Sequence, residues 1–83
     1  MRVKVLYFAA VRDLSGKDEE DLELPASVTS IARLAAHLAT LHPDLAGRLE
    51  NVRFARNEEF ANGADTIASG DTIALIPPVA GGS

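Results

Sequence analysis

With 83 residues and no cysteine, the chain is one small domain whose apolar core must hold without disulfides or thiolate-bound zinc. Hydrophobic residues make up 47% of it, enough for such a core, and the formal charge of −4 disfavours non-specific binding to nucleic acid or to an anionic membrane surface. No apolar run approaches the roughly 20 residues of a transmembrane helix, and Met1-Arg2-Val3-Lys4 leads into alternation and not into a signal sequence, so a cytoplasmic protein is expected.

In chain order, residues 2–8 come first: Val3, Val5 and Tyr7 point one way, Lys4, Leu6 and Phe8 the other, which is the period of a strand. Apolar side chains on both faces place it centrally in a sheet. Phe8, at its end, is either core, the default, or part of a surface that a partner covers. Residues 9–14 favour a short helical turn that stops at Ser15-Gly16, a glycine end signal. Asp18, Glu19, Glu20, Asp21 and Glu23 then alternate with Leu22 and Leu24 as an exposed second strand with one apolar face. The run lacks the Gly turn and spaced ligands of a calcium loop, so its carboxylates are a solvated face or a dock for a basic partner.

Pro25 breaks that strand and Ser27 is placed to cap a helix. Val28, Ile31, Leu34, Ala35, Leu38 and Leu41 recur at three- and four-residue steps, predicting a helix over residues 28–41 that ends before His42-Pro43. His37 lies off its apolar stripe, and His42, five residues on, is badly spaced for sharing a ligand with it, so no metal site is expected. Residues 44–50 form a connector anchored by Leu45 and Leu49. Residues 52–56 read as a strand, Asn57-Glu58-Glu59 as a turn, and Phe60 as the anchor of a short return strand. After Asn62-Gly63 and Ile67, Ser69-Gly70-Asp71 turns the chain into the apolar run 72–76, whose two apolar faces place it beside the first strand. Strand, strand, helix, then strands is an α+β order: a mixed β-grasp (ubiquitin-like) sheet covered by one main helix, its first and last strands adjacent and parallel.

The domain is expected over residues 1–77, with an extended tail over 78–83. Pro77 and Pro78 fix their own φ and stiffen the exit, while Val79, Ala80, Gly81 and Gly82 shed bulk towards the tip. Five such residues, extended, reach roughly 16 to 18 Å, enough to enter a partner's active-site tunnel.

The opening Val3-Lys4-Val5-Leu6-Tyr7-Phe8-Ala9-Ala10-Val11-Arg12-Asp13-Leu14-Ser15-Gly16 and the closing Ser69-Gly70-Asp71-Thr72-Ile73-Ala74-Leu75-Ile76-Pro77-Pro78-Val79-Ala80-Gly81-Gly82 resemble the two ends of the small subunits of molybdopterin synthase, which are ubiquitin-like sulfur carriers. The helix between agrees in position and kind, so the resemblance spans essentially the whole chain. It departs at Ser83, because the family ends at the second glycine. Ser83 is therefore either removed by a carboxypeptidase-like step or an addition to the chain.

The resemblance implies a mechanism. An E1-like adenylating enzyme would use ATP to activate the Gly82 carboxylate, and a persulfide donor would replace AMP with sulfur. The resulting thiocarboxylate would enter the large subunit of the synthase, in a heterotetramer, and sulfurate cyclic pyranopterin monophosphate. This chain would bind no cofactor and supply no catalytic group of its own. Sulfur on an acyl carbon explains how a cysteine-free protein can carry it. Phe8, Leu75 and Ile76, near the root of the tail, are the candidate partner anchors, each of them core otherwise. The alternatives are a carrier for thiamine or tRNA thiolation, a ubiquitin-like protein modifier, or a plain β-grasp interaction domain.

Overall fold

The computed structural model describes residues 1–78. Its elements run β1 (Arg2–Tyr7), α1 (Ala9–Ser15), β2 (Glu19–Glu23), α2 (Ile31–Leu41), a 3-10 turn (Pro43–Leu45), β3 (Arg53–Arg56), β4 (Glu59–Ala61) and β5 (Thr72–Ile76). The strands form one sheet in the order β2-β1-β5-β3-β4. β1 and β5 pair in parallel from Lys4↔Thr72 to Tyr7↔Leu75, and the other neighbours are antiparallel. This is the α+β, β-grasp arrangement that the alternation and the one long amphipathic segment predict.

One face of the sheet is covered. Val3, Val5 and Tyr7 of β1, Ile73 and Leu75 of β5 and Phe54 of β3 meet Ile31, Leu34 and Leu38 of α2, with Val11 of α1 and Leu45 of the 3-10 turn closing the same core. The period of two in the strands and of three to four in α2 puts these residues on facing surfaces. α1 stops where Gly16 takes φ 76, a left-handed conformation that returns its amide to the Arg12 carbonyl.

α2 begins later than its apolar periodicity suggests. Its cap is Ser30, whose hydroxyl accepts from the Arg33 amide, and not Ser27. The reason is tertiary. Residues 29–31 are drawn out against residues 65–67: Ser30 bridges Thr66, the Ile67 amide donates to Thr29 and the Ile31 amide donates to Asp65. Val28 is still buried, but in a turn closed by its bond to the Pro25 carbonyl. At the other end Leu41 is 43% exposed, and Leu45 fills the core instead. β3 and β4 join through Asn57 and Glu58, both at positive φ (52 and 74), the geometry of a tight hairpin turn that matches strand twist.

Candidate functional site

Among the described residues, no helix covers the other face of the sheet. Pairing sets a row across it: Glu19 of β2, Leu6 of β1, Ala74 of β5, Ala55 of β3 and Phe60 of β4 are successive partners. Phe8 and Ile76 lie on the same face, one step nearer the end of β5. With Asn57, Glu58 and Thr72 as its rim, this surface forms a shallow depression of about 570 Å³. Phe8 and Phe60 stand 46% and 63% exposed beside it, more than aromatic residues usually are.

The polar half of the same face lies towards the start of β1. Lys4 faces Glu19 at 3.6 Å and Arg2 faces Glu23 at 3.4 Å, both pairs well exposed. Such pairs contribute little to stability and keep the edge strand β2 soluble. Arg53 places its guanidinium 4.1 Å from the centre of the Phe60 ring, a cation–π contact at the opposite edge. Asn57 ties the hairpin to β5: its side chain donates to Asp71 and accepts from the Thr72 amide.

Two of the three anchor candidates share this surface. Phe8 is exposed, against the default reading of it as core, and Ile76 is half-buried on the open side. Leu75 is a correction. It points to the helix side with no exposed area, because its parity along β5 is that of Ile73, so no partner can reach it. Leu6, Ala55, Ala74 and Phe60 complete the surface and were not singled out from the sequence. The alternation of β1 already put Leu6 with Phe8, whereas the place of Phe60 needed the β3–β4 register.

β5 runs to Ile76, which lines the depression, and Pro77 and Pro78 follow it, half-buried and exposed respectively. Val79, Ala80, Gly81, Gly82 and Ser83 lie outside the described residues. Their base, however, issues from the central strand, immediately beside Phe8 and Ile76.

A polar cluster sits on the helix side. Both Tyr7 and His42 hydrogen-bond to Glu20 Oε1, at 2.9 and 2.8 Å. Burial pushes the Tyr7 phenol up, and the bond to Glu20 and its charge push it further. Burial also raises the Glu20 carboxyl, but the bonds from His42 and Tyr7 outweigh this and hold it below its ordinary value. Glu20 therefore departs from the solvated-face reading of the acidic run.

A family model described as the ThiS family matches residues 5–82. The chain belongs to that family. Among curated relatives, the molybdopterin synthase sulfur carrier subunit of Chlamydomonas reinhardtii is 36% identical over 99% of this chain and 100% of its own length. That of Dictyostelium discoideum is 36% identical over 95% of this chain and 94% of its own. Among solved structures, a putative molybdopterin converting factor subunit 1 from Pyrococcus furiosus is 29% identical over 95% of this ThiS-family chain and 99% of its own, with a TM-score of 0.82. SAMP1 from Haloferax volcanii superposes with a TM-score of 0.87 at 24% identity, covering 99% and 100% of the two chains, a likeness of fold. The family is the one to which the two ends of the sequence pointed.

Proposed function

We propose that this chain is the sulfur carrier subunit of a molybdopterin synthase. The observation that carries the reading is its similarity to curated carriers of that name, 36% identical over 99% and 95% of this chain. The fold supports it, since the central strand leads straight into Pro77-Pro78 and a tail of small residues. Gly82 is the acyl carrier: a partner of the E1-like adenylating kind converts its carboxylate to an acyl adenylate with loss of pyrophosphate from ATP, the outer sulfur of an enzyme persulfide displaces AMP to give an acyl disulfide, and a thiol reductant cleaves that S–S bond. The thiocarboxylate so formed donates sulfur to cyclic pyranopterin monophosphate in the cytoplasm.

The open face is the dock for the large subunit. Phe8, Ile76, Leu6 and Phe60 supply apolar area beside the root of the tail, and a related structure from Helicobacter pylori is a complex of subunits 1 and 2 of its molybdopterin-converting factor. Binding energy is needed there because ordering five tail residues costs on the order of 5 to 10 kcal/mol of backbone entropy. Roughly 200 to 400 Å² of apolar burial offsets it.

Ser83 must leave first. While it is attached, the Gly82 carbonyl is an amide, which an adenylating enzyme cannot activate. The test compares the 83-residue chain with one ending at Gly82, each given activating enzyme, ATP and a sulfur source, and read by intact mass. Only the shorter chain should gain the mass difference of one oxygen exchanged for sulfur, and it alone should then support synthase turnover. Thiocarboxylate on an intact chain that keeps Ser83 would move the reactive carboxylate away from Gly82. An adduct on other proteins would identify a modifier in place of a sulfur carrier.

A further inference from the structure

Behind the open face, three residues from three elements meet on one oxygen. Tyr7 ends β1, Glu20 lies in β2 and His42 closes α2. Glu20 Oε1 accepts from the Tyr7 hydroxyl at 2.9 Å and lies 2.8 Å from His42 Nε2. An ionised carboxylate can only accept, so His42 carries its hydrogen on Nε2. Tyr7 is 2% exposed, and the side chains of Glu20 and His42 are 18% and 15% exposed. These charge-assisted bonds are thus largely shielded from water, where they are stronger and more directional. The Tyr7 and His42 rings also meet edge to face, with centroids 5.9 Å apart.

What the cluster holds is the next residue. Successive strand residues point to opposite faces, so fixing Tyr7 on the helix side fixes the direction of Phe8 on the open side. The chain is tightly bent there. Phe8 is extended (φ −120, ψ 149), and Ala9 follows at φ 50, in the left-handed region that alanine rarely enters. Such a conformation persists where its surroundings over-determine it. The Phe8 carbonyl is held by the amides of Val11 and Arg12 at 3.1 and 3.3 Å, while the Tyr7 hydroxyl is held through Glu20 from the other side of the sheet.

We propose that Glu20 is a positioning residue for partner recognition, setting through Tyr7 the direction in which Phe8 meets the large subunit. The inference rests on the docking role assigned above to the open face. A cluster that only fastened α2 to β2 would affect stability alone; one that aims Phe8 must also act on binding, and only while the Phe8 ring is present.

Two measurements on the full chain test it. The first needs no partner: the ring shifts of Phe8 and its nuclear Overhauser contacts with Ile76 are followed by NMR in Glu20→Leu, Tyr7→Phe and Glu20→Gln. The first two variants remove the tether and should move the Phe8 signals. Glu20→Gln keeps an acceptor oxygen and should resemble the parent. The second is a double-mutant cycle on the dissociation constant for the large subunit. Glu20→Leu should weaken binding roughly three- to tenfold with Phe8 present and leave it unchanged in a Phe8→Ala background. Unmoved Phe8 signals in the tether variants, or equal weakening with and without the ring, would overturn the proposal. If the parent chain fails to bind the large subunit, the docking reading falls and the NMR arm alone decides the positioning. If Glu20→Leu does not fold, Tyr7→Phe, which deletes one hydroxyl, carries both arms.

Discussion

Truncating Phe8 separates docking from folding more sharply than any other single change. Its ring is 46% exposed, and an aromatic side chain offers about 150 to 250 Å² in all, so docking can bury roughly 70 to 115 Å² more. At about 25 cal/mol per Å² that area contributes roughly 2 to 3 kcal/mol, less about 0.5 to 1 kcal/mol for holding the ring still. Phe8→Ala should therefore weaken binding of the large subunit by about 1 to 2 kcal/mol, roughly 5- to 30-fold in dissociation constant. The fold should notice little, because the half of the ring already covered lies at the edge of a depression and not in the core. Leu75→Ala is the control. It opens a cavity under a side chain with no exposure and should cost about 2 to 5 kcal/mol of stability, a large share of what so small a domain has. Isothermal titration of the large subunit, beside urea melts of both variants, reads the contrast. A Phe8→Ala chain that binds as the parent does, while melting normally, would refute the assignment of the open face as the dock.

Other changes have equally definite outcomes. Glu58→Gly should raise the melting temperature by a few degrees, because Glu58 sits at φ 74, where a side chain costs about 1 kcal/mol that the extra freedom of glycine in the unfolded chain only partly offsets; a drop on calorimetry would mean that the Glu58 side chain does more than turn the chain. Glu20 has its pKa depressed in the folded state by its bonds to His42 and Tyr7 against the effect of burial, so its contribution is complete above its ordinary value of 4.5 and is lost as pH falls through the depressed one. Urea midpoints followed down through that acid range should fall less steeply in Glu20→Gln, and parallel curves would remove Glu20 from the acid response. Gly81→Ala and Gly82→Ala should impair sulfur transfer in a reconstituted synthase assay while leaving thermal melts at the parent value, since a β-carbon widens the tail and restricts its backbone without touching the core. Near-normal turnover by both would take the tail out of the mechanism.

What the sequence made legible was whatever a short period could carry. Val3, Val5 and Tyr7 declared their common face by alternation, and the parallel pairing of β1 with β5 followed from two strands that were apolar on both sides. Parity failed where every position was apolar. In Thr72-Ile73-Ala74-Leu75-Ile76 nothing local distinguishes Leu75, which is buried, from Ile76, which faces outward; the register from Lys4↔Thr72 onward settles it. The start of α2 was misplaced for a related reason, since the strand-like pairing of Ser30 with Thr66 is made by a segment 36 residues away (66 − 30). Glu20 was hidden among its acidic neighbours. Its parity with Leu22 and Leu24 pointed inward, but nothing near it announced His42, 22 positions further along, as the partner that makes an inward carboxylate tolerable. The tail from Val79 to Ser83 lies outside the described residues, and its role rests on residue size and on the resemblance of the two chain ends.

The strand at the middle of the sheet is also the last one in the order of the chain. Lys4 must wait for Thr72, 68 positions later (72 − 4), before the two halves β2-β1 and β3-β4 have anything to join them. So much of the fold depends on this distant pairing that the search for it should slow folding relative to a helical domain of the same size. It also acts as a check on completeness. A chain that breaks off before residue 72 leaves two separate hairpins with apolar edges and no centre, which proteases clear readily. Any molecule that has folded therefore has β5 in place, so the fold itself vouches for the chain as far as Ile76.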